Sequence, residues 1–222
     1  KFNWVGWCGI FLEDDKIVEK VKNKMNKDNI YPLFFKKDIF KDYYNGFANK
    51  IIWPLFHCLL DKVEYKEKYW NAYIKINQYF AKSIIDKYGL KQTLWIQDYH
   101  LFLLPQILRE QGFQGKICFF LHIPFPSYEI FHTCPYAKNI VLGLSGSNII
   151  GFHTPQYANN YFNSVKEILD TSALYFDQKY YVYNKNKVYV NNYPIGIYPT
   201  QFIETQNTDE FNKDIKKLEK AF

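Results

Sequence analysis

The sequence predicts an α/β fold with a parallel sheet flanked by helices, and three observations indicate it. Short continuous apolar runs alternate with stretches of helical periodicity over residues 93–169. Residues that end or begin helices separate these stretches, namely Gly89, Gly112 and the pair Thr154-Pro155. The length also allows it, because 222 residues, 48% of them hydrophobic, can form one large domain or two small ones around a substantial core.

The first part of the chain predicts one strand and a mostly helical region. A Trp-rich, strand-like piece opens the chain, and the charged stretch 13–29 predicts an exposed helix or a solvated loop. Over 38–62 apolar residues recur at helical spacing, but Gly46 and Pro54 interrupt the pattern. We therefore expect two helical pieces that meet near Pro54, with Asp38 as the N-cap of the first.

The alternation of strands and helices lies in the middle of the chain. The clearest helix covers 66–88, where six apolar residues share one face: Trp70, Tyr73, Ile76, Phe80, Ile84 and Tyr88. Three buried strands follow, at 93–97, 116–123 and 148–153. Helices are expected between and after them, over 101–112, from the Pro-rich turn at 124–127 to about 144, and from 155 to about 169.

The last part of the chain follows a different pattern. Residues 179–197 alternate about a polar Asn-Lys-Asn-Lys turn, which predicts a β-hairpin. The charged stretch 208–222 predicts a helix with Thr208 as its cap. We expect a domain over 1–205, with 206–222 as a linker or helix that leads out of it.

Composition excludes several classes of protein. The net charge is +6, but Arg109 is the single arginine and the lysines are scattered, so we expect no nucleic-acid partner. Apolar runs are too short for a membrane span, so no membrane partner is expected. His and Cys do not cluster, which predicts no bound metal. Cys58 and Cys118 lie in apolar runs and predict buried, reduced thiols, which favour a cytoplasmic setting.

Polar residues at the ends of the predicted strands indicate where chemistry takes place. Ligands of parallel sheets bind outside the carboxyl ends of the strands. Asp98 and His122 follow two consecutive strands, so they are expected to be neighbours at one edge, as acid–base groups or as partners of sugar hydroxyls. The alternative is structural: Asp98 caps the next helix and His122 is a buried histidine with its hydrogen bonds satisfied. His153 is interpreted as an ordinary polar residue.

A second cluster combines aromatic rings with an amide. Tyr43, Tyr44, Asn45 and Trp53 suit the stacking of a sugar and the binding of its hydroxyls, because ring faces match C–H surfaces. The competing interpretation is that these rings belong to the core, since aromatic residues make up 20% of the chain and large rings are often buried.

Six blocks of sequence resemble the trehalose-6-phosphate synthase family, in the order in which that family has them. A DYHL motif followed by FFLHIPFP is specific to it. The blocks are YYNGFANKIIWPLFH (43–57), WNAYIKIN (70–77), LWIQDYHLFLLPQILREQ (94–111), KICFFLHIPFPSYEIFHTCP (116–135), NIIGFHTPQYANNYF (148–162) and YPIGIYP (193–199).

The resemblance implies a fold, an activity and roles for five residues. The fold would be a Rossmann-like parallel sheet, the acceptor-binding N-terminal half of a GT-B glycosyltransferase. The family transfers glucose from UDP-glucose to glucose-6-phosphate with retention of configuration and without a cofactor. By motif match, Asp98 and His122 correspond to active-site residues. Tyr44 and Trp53 correspond to acceptor-pocket aromatics, and Trp7 to a tryptophan near that pocket.

The chain also departs from the family pattern. Gln97 stands where the family usually has histidine, which alters the surroundings of Asp98. The family's first strand with its glycine loop, and its nucleotide-sugar domain with an Arg/Lys pair, find no match here, and Arg109 matches none of those positions. The chain begins without Met, so we expect it to be part of a longer protein. Because it lacks the positive partners that the donor phosphates need, we also expect it to be inactive alone. Its oligomeric state, and whether a phosphatase accompanies it, stay open.

Two other functions remain open at this point. The chain resembles an enzyme, but a non-catalytic relative that binds a sugar phosphate and regulates synthesis would share its motifs. A relative that uses another phosphorylated acceptor would share them too. Protection against thermal unfolding by glucose-6-phosphate but not by glycerol-3-phosphate separates these possibilities.

Overall fold

The computed structural model describes residues 2–169, 175–177 and 179–220. Its eight strands form a two-stranded sheet and a six-stranded sheet. The strands are β1 (Trp4–Trp7), β2 (Ile30–Leu33), β3 (Leu94–Gln97), β4 (Ile117–Phe120), β5 (Ile149–Phe152), β6 (Tyr175–Phe176), β7 (Tyr180–Tyr183) and β8 (Asn186–Asn192).

Ten α-helices are described, together with one π-helix at Lys41–Ile52 and 3₁₀ turns at Leu60–Lys62 and Tyr99–Leu101. Every described helix falls short, in length or in apolar content, of what a membrane crossing requires. The α-helices are α1 (Asp15–Lys27), α2 (Lys37–Phe40), α3 (Trp53–Phe56), α4 (Glu67–Tyr88), α5 (Leu104–Glu110), α6 (Tyr128–Phe131), α7 (Ala137–Leu144), α8 (Pro155–Ile168), α9 (Pro199–Gln206) and α10 (Asp209–Glu219).

The larger sheet confirms the predicted α/β class. Its strand order is β3-β4-β5-β8-β7-β6, and β3, β4, β5 and β8 run parallel. Gln97 pairs with Phe120, and Gly151 pairs with both Phe120 and Asn191, so the strands end almost level. Residues that directly follow β3, β4 and β5 therefore share one edge of the sheet, as parallel strands require.

The predicted hairpin is present and joins the main sheet. β7 and β8 are antiparallel around Asn184 and Lys185, which both have positive φ, at 46° and 64°. Two consecutive left-handed residues are the geometry of a tight hairpin turn, and asparagine adopts it readily. On its other edge β8 pairs with β5, which makes the hairpin an extension of the parallel sheet.

Several helix predictions are confirmed and two need correction. α4 ends at Gly89, with φ of 75°, and Thr154 and Thr208 cap α8 and α10 as predicted. Asp38 is not an N-cap, because Lys36 occupies that position and Asp38 lies inside the first turn of α2.

The interruption predicted at Gly46 is wrong, because helical backbone runs without a break through α2, the π-helix and α3. Cys58 and Cys118 are free thiols, as predicted, but their predicted burial is wrong. Cys58 is exposed just after α3 and Cys118 is half-buried, whereas Cys134 is buried.

Gly46 lies where the π-helix packs against α4. A Cβ atom added there would meet Cδ1 of Tyr69 at 2.4 Å, and Tyr69 is itself buried. We expect Gly46→Ala to lower the free energy of unfolding by about 1–3 kcal/mol, because the ring has no room to move away. Urea unfolding measures the loss. Gly6→Ala is the matched control, since no atom lies within 4 Å of its added Cβ; equal losses in both variants would contradict the packing explanation.

Candidate active site

Asp98 directly follows β3 in a backbone conformation that is rarely open to residues with a side chain. Its φ and ψ are 69° and 172°. This region is nearly restricted to glycine and costs about 1–3 kcal/mol for other residues. The conformation is held by a hydrogen bond from Asp98 N to Phe120 O, at 2.8 Å, and by one from Leu101 N to Asp98 O, at 3.2 Å. Strain of this kind at the end of a central strand indicates a functional position.

The structure places Asp98 and His122 together, as the sequence predicted. The backbone N–H of His122 donates to Oδ1 of Asp98 at 3.1 Å. The His122 ring is exposed, and its Nε2 lies 2.7 Å from Oε1 of Gln97. A carboxylate, an imidazole and an amide therefore meet at the carboxyl ends of β3 and β4. Asp98 does not cap the following 3₁₀ turn through its side chain, which removes one structural alternative.

His153 joins this group, so its interpretation as an ordinary polar residue is corrected. It follows β5, and its ring meets that of His122 edge to face at a centroid distance of 5.5 Å. Within the described part of the chain, its buried Nδ1 has no hydrogen-bond partner. Its position in the sequence could have indicated this, because His153 follows the third consecutive parallel strand just as His122 follows the second.

A continuous row of aromatic rings connects the other predicted residues to Asp98. The row starts at Trp7 and ends at Trp53, and it passes through Tyr99 and His100, which directly follow Asp98. Its successive centroid distances are 4.1 Å for Trp7–Phe40, 5.5 Å for Phe40–Tyr44, 5.2 Å for Tyr44–His100, 4.0 Å for His100–Tyr99 and 5.9 Å for Tyr99–Trp53. Phe40 and Tyr99 are buried, so the row connects the exposed rings of Trp7, Tyr44 and Trp53 to the residues that follow Asp98 partly through the core.

Exposure separates the binding candidates from the core. Trp7 and Tyr44 are each 37% exposed and Trp53 is 44% exposed, so their rings are open to a ligand. Tyr43 is buried, and its hydroxyl donates to the carbonyl oxygen of His100 at 3.1 Å. The core alternative therefore holds for Tyr43 and fails for Tyr44 and Trp53.

Both tyrosines lie in the π-helix. Its wider turn uses hydrogen bonds from residue i to i−5, as from Trp53 N to Ala48 O. In this helix Tyr43 faces α4, where it stacks on Tyr73, while Tyr44 stacks on His100. Such helices are rare and occur often at functional sites, which fits this placement.

No metal centre is evident here. Among residues 2–169, 175–177 and 179–220, no three His, Cys, Asp or Glu side chains are grouped closely enough to hold an ion. The site therefore offers hydrogen bonds, ring faces and the charge of Asp98. Such a set suits a polyhydroxylated ligand, whose hydroxyls donate to the carboxylate and whose C–H faces stack on rings.

His100 makes the stability of the site depend on pH. Burial lowers the pKa of its imidazole, and the charge of Asp98 opposes this only in part. The folded state therefore binds this proton less readily than the unfolded chain, so unfolding is favoured in acid. The stabilisation is complete above the unfolded pKa of about 6.5 and falls as the pH drops below it.

We expect the free energy of unfolding to fall by up to about 1.4 kcal/mol per pH unit from this single group below pH 6.5. In His100→Phe, which keeps a ring between Tyr44 and Tyr99, this component of the slope should vanish. Urea unfolding of both proteins from pH 5 to pH 8 gives the difference directly. Parallel curves for the two proteins would contradict the role of His100.

The chain resembles known proteins along its whole length. A family model described as Glycosyltransferase family 20 matches residues 1–222. The UDP-forming alpha,alpha-trehalose-phosphate synthase of Pichia angusta is 38% identical over 227 residues, which cover 100% of this chain and 47% of that protein. Synthase A of Dictyostelium discoideum, also named UDP-forming, is 37% identical over 226 residues, which cover 100% of this chain and 30% of that protein.

Solved structures show the same similarity. One described as trehalose-6-phosphate from E. coli bound with UDP-2-fluoro glucose has a TM-score of 0.82 and 26% identity, over 97% of this chain and 48% of that one. The match lies in the N-terminal part of these relatives, and the chain spans less than half the length of each. The architecture is that of the N-terminal half of a GT-B fold.

Proposed function

The chain belongs to glycosyltransferase family 20, and we propose that it is the acceptor-binding part of a UDP-forming α,α-trehalose-phosphate synthase. The proposed reaction transfers glucose from UDP-glucose to glucose-6-phosphate. The observation that carries the proposal is the hydrogen bond between Asp98 and His122 at the ends of β3 and β4, beside the ring row from Trp7 to Trp53. A domain with a purely structural role has no need of this combination.

Each of the five residues has a role in the proposal. Asp98 accepts hydrogen bonds from sugar hydroxyls near the reacting carbon, with the oxygen that His122 N does not use. His122 holds the transferred glucose through its ring. Trp7, Tyr44 and Trp53 line the acceptor pocket and contact C–H faces of the sugar. The protein thus contributes positioning and charge stabilisation, and no side chain acts as a nucleophile.

In the proposed reaction, every bond that breaks or forms belongs to one of the two substrates. The bond between the anomeric carbon of glucose and the β-phosphate oxygen of UDP breaks. A bond forms between that carbon and the acceptor hydroxyl oxygen, on the same face of the sugar. The hydroxyl proton passes to the departing diphosphate, so neither a metal nor another cofactor enters the proposal.

The phosphate groups need positive partners other than Arg109. That guanidinium donates four hydrogen bonds at the amino ends of β4 and β5, opposite to Asp98. We therefore expect the 222-residue chain alone to release no UDP. The cytoplasm is the proposed compartment, because the four cysteines are free. Association with further copies or with a phosphatase stays a prediction that size-exclusion chromatography tests.

The experiment is a thermal shift with two phosphorylated probes. Glucose-6-phosphate at about ten times its Kd should stabilise the chain by about 1.4 kcal/mol, which raises the Tm by a few degrees. Glycerol-3-phosphate should give no shift. Tyr44→Ala should remove the shift, whereas Tyr79→Ala, which changes an exposed tyrosine on α4 outside the ring row, should keep it.

Activity is measured on the native polypeptide, captured from source cells with an antibody against this chain. UDP release that requires both UDP-glucose and glucose-6-phosphate supports the synthase. A glucose-6-phosphate shift without any UDP release would favour the non-catalytic relative instead. Equal shifts with both probes, or none with either, would contradict an acceptor site for glucose-6-phosphate.

A further inference from the structure

Gln97, the last residue of β3, contacts the His122 ring. Its pairing partner in the sheet is Phe120, two residues before His122. Side chains two residues apart on an extended strand point to the same side, and the Phe120 and His122 rings are 4.8 Å apart. This register brings Oε1 of Gln97 within 2.7 Å of Nε2 of His122.

The contact determines which ring nitrogen carries the proton. An amide oxygen accepts hydrogen bonds and cannot donate them, so the Nε2 that it meets carries the hydrogen. In a neutral imidazole the other nitrogen, Nδ1, is then an acceptor. The His122 ring makes no second hydrogen bond to any described residue, so Nδ1 is left for a ligand.

We propose that Gln97 is a positioning residue that holds His122 as the Nε2–H tautomer, so that Nδ1 accepts a hydrogen bond from a ligand hydroxyl. The nature of this ligand, a sugar, rests on the proposed function; the tautomer does not. Asp98 also presents an acceptor, since Oδ1 alone receives the N–H of His122.

The arrangement has a consequence for specificity. Two acceptors side by side favour a ligand that donates, as the hydroxyls of a sugar do. They disfavour a phosphate oxygen at this position, because it offers only lone pairs to Nδ1 and negative charge to Asp98. We therefore place sugar hydroxyls at Asp98 and His122, and the phosphate of either substrate elsewhere.

Nitrogen-15 NMR of histidine-labelled protein tests the tautomer, because it distinguishes protonated from unprotonated ring nitrogens. The His122 signals are assigned by their loss in His122→Asn. At a pH where the ring is neutral, the wild type should show Nε2 protonated and Nδ1 unprotonated. Gln97→Leu should give a mixture of tautomers, whereas Gln97→Glu, whose carboxylate also accepts, should restore the single form.

Ligand titrations complete the test. Glucose-6-phosphate or UDP-glucose should shift the Nδ1 signal, and Gln97→Leu should weaken that binding by about 2- to 13-fold, as one lost hydrogen bond implies. A wild-type ring protonated at Nδ1, or a Gln97→Leu spectrum identical to that of the wild type, would overturn the positioning role. If the tautomer is as expected but neither sugar shifts the Nδ1 signal, the hydroxyl contact is overturned and the role of Gln97 remains.

Discussion

Replacing Asp98 by asparagine is expected to lower the rate of UDP release by about 100-fold or more, while the protein folds as before. Asparagine has nearly the same shape, tolerates a positive φ, and keeps an oxygen for the backbone N–H of His122. What it removes is the negative charge that the proposed function places beside the reacting carbon. Losing one such preorganised group costs about 10²–10³ in rate in other enzymes. The measurement is kcat of the native polypeptide and its Asp98→Asn variant.

Two further variants separate charge from strain. Asp98→Gly removes a backbone cost of about 1–3 kcal/mol. It also loses one hydrogen bond of about 1 kcal/mol and adds about 0.5–1 kcal/mol of backbone entropy to the unfolded chain, so it should stay within about 1.5 kcal/mol of the wild-type stability and be inactive. Asp42→Asn is the matched control, because Asp42 pairs with Lys68 at 2.9 Å on the surface of the π-helix. If Asp98→Asn released UDP at the wild-type rate, the proposed catalytic role of Asp98 would be contradicted.

The sequence predicted the edge of the sheet where Asp98 and His122 meet, because parallel strands that end level bring their following residues together. It did not predict the contact between His122 and His153. That contact depends on the twist and register of β4 and β5, which a pattern of apolar residues does not specify. Similarly, the pairing of β8 with β5 joins segments about 40 residues apart, beyond the reach of local patterns.

The π-helix is a second feature that the sequence pattern did not indicate. Gly46 suggested an interruption because glycine is costly inside a helix. The helix nevertheless continues through Gly46, because the Tyr69 ring packs against its Cα and would collide with any side chain there. The ring row has the same origin: Trp7 reaches Tyr44 only through Phe40, and no spacing in the sequence connects these residues.

Arg109 is expected to contribute more to stability than any other cation in the described chain. Its Nε donates to Gly146 O at 2.9 Å, and its two terminal nitrogens donate to Phe113 O, Gly115 O and Asn148 Oδ1, each at 2.8 Å. Burial lowers the pKa of the guanidinium. Hydrogen bonds from a charged donor to half-buried acceptors are worth about 1.5–3 kcal/mol each, and losing the donor leaves the acceptors unpaired.

The same group connects three parts of the fold. Asn148 Oδ1 also accepts from Ile117 N at 2.9 Å, at the start of β4, and its amide lies 3.4 Å from Asn186 Oδ1, at the start of β8. Lysine cannot replace the guanidinium of Arg109, because its single nitrogen cannot reach all four acceptors. We therefore expect Arg109→Lys and Arg109→Met to destabilise the chain by similar amounts, about 3 kcal/mol or more.

Urea unfolding tests this expectation, with Lys138→Met as the control for losing one positive charge on exposed helix surface. The control should change the free energy of unfolding by less than about 0.5 kcal/mol. A loss below about 1 kcal/mol in Arg109→Met would contradict the structural role. Under conditions where Arg109→Lys stays folded, its thermal shift with glucose-6-phosphate should equal that of the wild type. If that shift disappeared while the chain remained folded, the sole arginine would be a phosphate ligand, and the placement of the site at the opposite end of the sheet would be wrong.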